Sequence, residues 1–248
     1  MVGNYVKKTQ VYAFDGFSWS QLGSDIIHNT SEDIPSVNSN LSASGYTLVV
    51  GALKNSESNE EFARVYSFNG SDWVQLGEDI VKPNATTANT YSVSISSDGT
   101  IIALGDVVNE EVSIFSYNGS SWNQLGASIS TGALNENFGF YTSLSADGNR
   151  IAISAPGSSS SVSPGTAWVY TYNGSSWQQL GSAITGVAAN DYLGYSISLS
   201  ADGTRLAVGA RFNDDIDTNA GHVRIFNLRN YIPTSVADTA TVLEDAAL

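Results

Sequence analysis

Two short motifs alternate along this chain, four times each, and that alternation restricts its possible folds more than any other feature. The first reads VYAFDGFSWSQLG from Val11, VYSFNGSDWVQLG from Val65, IFSYNGSSWNQLG from Ile114 and VYTYNGSSWQQLG from Val169. The second reads LSASGYTLVVGA from Leu41, ISSDGTIIALGD from Ile95, LSADGNRIAISA from Leu144 and LSADGTRLAVGA from Leu199. The motif tryptophans Trp19, Trp73, Trp122 and Trp177 stand 54, 49 and 55 residues apart. Each precedes the next turn glycine (Gly45, Gly99, Gly148, Gly203) by 26 residues. The distance from that glycine to the following tryptophan varies, at 28, 23 and 29 residues. All length variation therefore falls in one connection of an otherwise constant unit. A unit of this size cannot bury its own apolar faces and must stack on its neighbours.

Each unit reads as four short strands, a to d. Strand a is exemplified by Tyr195–Ser200, b by Arg205–Ala210, c by Val169–Tyr172 and d by Trp177–Leu180. Asp-Gly joins a to b and Asn-Gly joins c to d. Such pairs favour tight hairpins, because glycine adopts positive φ freely and Asn or Asp tolerate it. The runs between are rich in Val, Ile, Tyr, Phe and Trp, as strands prefer, and no segment keeps a helical period. The apolar residues do not strictly alternate, so both faces of each sheet are expected to be buried. The expected fold class is all-β: a β-propeller of four-stranded antiparallel blades, four to five as presented, or an arc of a larger ring. A sandwich would give no reason for the constant spacing.

The motif order resembles the FG-GAP type of repeat found in integrin-like propellers and large bacterial surface proteins. Phe138-Gly139 and Leu193-Gly194 stand where that family has Phe-Gly, and Ala155-Pro156 and Gly209-Ala210 where it has Gly-Ala-Pro. The resemblance covers roughly residues 1–230 and implies an extracellular or cell-surface protein. Calcium-binding members carry an acidic loop between a and b. Here that turn holds one carboxylate at most, so Asp98, Asp147 and Asp202 do not inherit a calcium role.

The organisation expected is a propeller over 1–230, with a partial repeat at 1–27, full repeats at 36–80, 91–129 and 138–184, and a partial one at 193–228. The last lacks the Asn-Gly and tryptophan of strand d, and strand d of the first repeat is a candidate to complete it. Residues 231–248 are expected to be a linker and the truncated start of a following domain, since ADTATVLEDAAL resembles the opening of a cadherin-like or immunoglobulin-like adhesin repeat. The first residues are not a secretory signal. The chain opens inside a repeat, so a leader is expected upstream.

Of the 248 residues, 24 are Asp or Glu and 10 Lys or Arg, a net charge of −14. Such a surface repels phosphate backbones and anionic lipid, which argues against nucleic acid and membrane insertion. Cysteine is absent, which removes disulfides and thiolate chemistry. His28 and His222 are the only histidines, and no serine or acid motif accompanies them. No catalytic constellation is evident, and the expectation is a non-enzyme.

Candidate sites are few. The motif tryptophans serve every blade, so core packing outweighs ligand stacking for them. Trp168 stands where the other repeats have Gln10, Arg64, Ser113 and Arg224, and is either a carbohydrate platform or a gap filler. Asp214 and Asp215 lie in the last variable loop, as ligand contacts. Asp215, Asp217 and Asn219 alternate as oxygen ligands do at the start of a calcium loop. Ala220 and Phe226 stand where such a loop needs glycine and glutamate, so Ca2+ competes with a solvated acidic loop. Glu57, Glu60, Glu61, Glu110 and Glu111 read as solubilising. The asparagines of Asn-Gly-Ser match a glycosylation pattern, but turn chemistry already accounts for them.

Function commonly sits on variable loops over a rigid scaffold. The ligand surface is therefore expected on the b–c loops Leu53–Ala63, Val107–Glu111, Gly157–Thr166 and Arg211–Gly221. The expected function is a binding or adhesion module for a protein or carbohydrate at a cell surface. Its alternatives are a structural spacer in a surface fibre and a polysaccharide-active enzyme.

Overall fold

The computed structural model describes residues 7–28, 38–54, 61–81, 90–132, 136–157 and 163–229. The proposed following domain at 231–248 lies outside them, as do parts of the first and third b–c loops.

The strands run in five antiparallel groups. In the first, β1 (Lys7–Thr9) and β2 (Tyr12–Phe14) form one strand interrupted at Gln10 and Val11, and β3 (Trp19–Gln21) and β4 (Ile26–His28) return along it. The second sheet holds β5 (Ser39–Leu41), β6 (Thr47–Lys54), β7 (Glu61–Phe68), β8 (Trp73–Gln75) and β9 (Ile80–Val81). The third holds β10 (Thr90–Ile95), β11 (Ile101–Asp106), β12 (Glu111–Tyr117) and β13 (Trp122–Gln124). The fourth holds β14 (Thr142–Leu144), β15 (Arg150–Ala155), β16 (Thr166–Tyr172), β17 (Trp177–Gln179) and β18 (Ile184–Thr185). The fifth holds β19 (Leu193–Leu199), β20 (Arg205–Ala210) and β21 (His222–Asn227). In the second to fifth sheets the strands lie side by side in chain order, except that β9 and β18 pair back with β7 and β16, and this is a β-propeller.

Strand d is longer than its sequence signature. After Gln-Leu-Gly the chain pairs again with the start of strand c, as β4 with β1, β9 with β7 and β18 with β16, and as a bridge between Val112 and Ile129. An isoleucine seven residues after each motif tryptophan (Ile26, Ile80, Ile129, Ile184) marks this second half.

The core lies between sheets. Ile102 and Leu104 point back to Val49 and Val65 of the second sheet, while Ala103 points forward to Ile151 and Ile153 of the fourth. Each of the four hydrophobic clusters joins two successive sheets in this way. Burying both faces explains the missing alternation, and each fully buried Ile or Leu contributes about 1.5–3 kcal/mol.

The tryptophans fasten these interfaces. Trp73 Nε1 donates to the Leu22 carbonyl of the preceding sheet (2.7 Å), Trp122 to Leu76 (2.8 Å) and Trp177 to Leu125 (2.8 Å). The glycine after each leucine makes room: a Cβ on Gly77 would sit 2.9 Å from the Trp122 ring, and its φ is +77°. Among the described residues no sheet stands before Trp19, which is 69% exposed.

The hairpin turns are rigid copies of one another. Asn69, Asn118 and Asn173 each accept two backbone N–H bonds at 2.9–3.0 Å through their side-chain oxygens. In the a–b turns Ser96, Ser145 and Ser200 donate to Asp98, Asp147 and Asp202 at 2.7, 2.6 and 2.6 Å. The turns also bond to each other through the main chain: Ala43 N–H to Ser97 C=O, Ser97 N–H to Ala146 C=O, and Ala146 N–H to Ala201 C=O.

Strand d of the first repeat does not complete the last sheet. β3 pairs with β2 of its own hairpin, and among the described residues no strand lies beyond β21.

Candidate functional site

The strand order a-b-c-d puts a–b and c–d turns on one face, and b–c and d–a connections on the other. The second face carries an aromatic patch around one cation. Arg211, at the end of β20, lays its guanidinium 3.8 Å from the Tyr195 ring centroid, 4.3 Å from Phe212 and 5.5 Å from Tyr192. Tyr192 meets Phe212 edge-on at 5.5 Å, and Phe140 of the fourth sheet tilts against Tyr195 at 5.4 Å. Such stacking fixes the guanidinium plane while leaving its N–H donors for a ligand.

Beside the patch is a shallow concavity of about 360 Å³, lined by Tyr195, Arg211, Ala220, Gly221, His222 and Val223 among others. Its rim is the Arg211–Gly221 loop. Aromatic faces with a few convergent polar groups are what small-ligand sites use.

The acidic residues of that loop mostly hold the loop itself. Asp214 accepts the Asn219 N–H (2.5 Å), and Asp217 accepts the Thr218 N–H (2.7 Å). Asp215 faces His222 at 3.6 Å. Asn219 has φ 55°. Among the described residues no group of three or more His, Asp or Glu converges as metal ligands do. Trp168 lies away from this loop, on β16. It is half-buried, edge-on to Phe138 at 5.3 Å. The register of β16 with β18 sets it opposite Ala183, the smallest residue at that place in the four repeats.

Two carboxylates on this face have roles that differ from the sequence reading or escaped it. Glu110 is not a solubilising side chain. It is 5% exposed and accepts the Glu136 and Asn137 N–H groups (2.8 and 3.1 Å), tying the third sheet's loop to the entry of the fourth. Asp191, 2% exposed, accepts from Ala188 N–H and from the Asn213 amide, both at 3.0 Å, and so anchors the Arg211–Gly221 loop. The aromatic patch was also missed, because its members are scattered from Phe140 to Phe212 and only folding gathers them. A hint was present in Tyr195 and Phe140, which follow the two Phe-Gly-like pairs.

Comparison with known proteins supports the scaffold. The FG-GAP repeat family matches residues 185–226. A search of curated proteins finds no match. Among solved structures, the periplasmic gluconolactonase PpgL of Pseudomonas aeruginosa is similar at TM-score 0.55 and 22% identity, over 83% of this chain and 58% of that one. A putative 6-phosphogluconolactonase from Bacteroides uniformis gives 0.54 and 12%, over 87% and 63%. Sqt1 from Chaetomium thermophilum gives 0.52 and 12%, over 79% and 44%. The chain thus spans about three-fifths of the first two. Among the described residues no helix is long and apolar enough to cross a membrane.

Proposed function

We propose that this chain is a non-catalytic binding module of an exported or cell-surface protein, and that it holds a carbohydrate ligand on its loop face. The observation that carries this reading is the Arg211 guanidinium stacked on Tyr195 at the mouth of an open concavity. Aromatic rings pack against the apolar faces of sugars, and a fixed guanidinium donates to their hydroxyls or carboxylates. The Arg211–Gly221 loop, with Asp214 and Asp215, forms the rim of the site. Trp168 contributes through packing of the blade beneath. The FG-GAP match supports an extracellular setting.

A glycan array followed by calorimetry, run with calcium and with chelator, tests the proposal. Arg211→Ala and Tyr195→Ala should each weaken the best ligand by tenfold or more while leaving the urea midpoint unchanged. A chain that binds no glycan, as a spacer would, overturns the reading. So does binding that survives replacement of residues 211–221. A calcium requirement removed by Asp215→Asn and Asp217→Asn would place the ion in this loop.

The names of two structural neighbours favour one competing reading, lactone hydrolysis. Accelerated hydrolysis of a gluconolactone by the purified chain, abolished by Arg211→Ala, would establish that reading instead.

A further inference from the structure

The Asn-Gly hairpins of the second, third and fourth sheets carry a group that the turn does not need. In each, the side-chain oxygen takes all the bonds. Asn69 Oδ1 accepts from the Ser71 N–H (3.0 Å), the Asp72 N–H (2.9 Å) and the Ser71 hydroxyl (2.9 Å). Asn118 Oδ1 accepts from the Ser120 and Ser121 N–H groups and the Ser120 hydroxyl, at the same 2.9–3.0 Å. Asn173 Oδ1 accepts likewise from the Ser175 and Ser176 N–H groups and the Ser175 hydroxyl. Among the described residues the three Nδ2 amino groups have no hydrogen-bond partner, and all three asparagines are exposed.

The first hairpin shows that the turn needs only the oxygen. Asp15 stands there, and its Oδ1 accepts from the Phe17 and Ser18 N–H groups, both at 2.8 Å. An aspartate thus closes the same hairpin with no amino group at all. Where the asparagine is replaced, the hydroxyl two residues on is replaced as well, by Phe17. Amide and hydroxyl are present together in three hairpins and absent together in the fourth. Turn chemistry therefore accounts for the oxygen and not for the pairing of asparagine with serine.

That pairing is the acceptor pattern for N-linked glycan transfer, Asn-x-Ser with x other than proline. An amide nitrogen is a weak nucleophile, because its lone pair is shared with the carbonyl. Three donors on Oδ1 stabilise the negative charge which that oxygen takes up as Nδ2 loses a proton. The approach is open too: a Cβ on Gly70, Gly119 or Gly174 would meet nothing within 4 Å beyond its own chain neighbours. All three hairpins lie on the turn face, opposite the Arg211–Gly221 loop.

We infer that Asn69, Asn118 and Asn173 are acceptor sites for N-linked glycans, one on the c–d hairpin of each of three successive sheets. In the transfer, Nδ2 bonds to C1 of the first sugar of an oligosaccharide carried on a lipid diphosphate. The bond between C1 and the diphosphate oxygen breaks, the lipid diphosphate leaves with that electron pair, and the amide gives up one proton. The glycans stand on the turn face and leave the loop face free. The sites are independent of what the loop face binds.

Mass spectrometry of peptides from protein purified from its native cells tests this. Each of the three asparagines should carry sugar mass. Intact glycopeptide mass is the readout, because Asn-Gly also loses ammonia unaided. The folded full chain, incubated with an oligosaccharyl transferase and a lipid-linked oligosaccharide, should be modified at the same three positions. Ser71→Ala, Ser120→Ala and Ser175→Ala should each lower occupancy of their own site by tenfold or more, and the matching threonine variants should retain it. Asp15→Asn combined with Phe17→Ser should add a glycan to the first hairpin. Three results would overturn the inference: bare asparagines at all three positions in the native protein, occupancy indifferent to the serine substitutions, or a first hairpin that stays bare in the double variant. Urea midpoints of the serine variants separate lost transfer from lost folding.

Discussion

The two faces of this propeller are built on different terms. On the turn face the blades repeat nearly one solution: a Ser-Asp side-chain bond in the third, fourth and fifth sheets, a Ser42–Ser44 bond in the second, a glycine in each, and main-chain bonds that link the successive turns. On the loop face no two connections are alike. All five described non-glycine residues with positive φ (Glu110, Asn137, Asn190, Tyr192 and Asn219) lie there. Strained backbone persists only where the surroundings over-determine it. Here the anchors are Glu110 and Asp191, both buried and each accepting from two N–H donors of neighbouring segments. Uniformity on one face is what allows individuality on the other.

The comparison can be broken first at the interface beneath both faces. Trp177→Ala removes a buried ring and its bond to Leu125, and should cost about 3–5 kcal/mol in urea unfolding. A loss below 1 kcal/mol would mean that the blades are not fastened there. On the turn face, Ser145→Ala removes the Asp147 bond and the acceptor for the Arg150 N–H, and should cost about 1–2 kcal/mol. On the loop face, Asp217→Asn should fall within about 0.5 kcal/mol, since the side chain is exposed and Asn can still accept the Thr218 N–H.

Acid sharpens the same contrast. At Asp98 and Asp147 burial raises the pKa, but bonds from Ser96 and Thr100, and from Ser145 and Asn149, outweigh it and hold the carboxyls below the usual 3.8. At Asp202, bonds from Ser200 and Thr204 lower it further. Folded, these groups bind fewer protons than unfolded, so they stabilise the fold above the unfolded value and lose that effect as pH falls through the folded values. The urea midpoint should therefore decline below about pH 4. Replacing the three aspartates with asparagine should flatten that decline; an unchanged slope would assign acid sensitivity to other carboxylates.

Much of the scaffold was legible because its chemistry is local. Asn-Gly and Asp-Gly fix hairpins within four residues, and the Trp-to-Gly spacing fixes strand order. The second half of strand d was less visible, since its marker is a lone isoleucine behind a glycine. Trp19 shows the limit of reading one repeat from another. It shares a motif with Trp73, yet it is exposed, because burial belongs to the interface and among the described residues no sheet precedes the first hairpin. Glu110 and Arg211 were illegible for a related reason. A glutamate in a loop looks solvated until the N–H groups of Glu136 and Asn137 are set against it. Arg211 gains its setting from rings as far away in sequence as Phe140, which itself stacks on Tyr195.

The relay that links Ala43, Ser97, Ala146 and Ala201 uses only peptide groups. A joint of that kind does not ask which amino acids flank it. A freshly copied blade spliced into the gene would meet its neighbours near the axis with no new side-chain fit to discover. Lineages carrying this architecture can therefore lengthen or shorten by whole blades in single steps, and only afterwards tailor what each added loop holds.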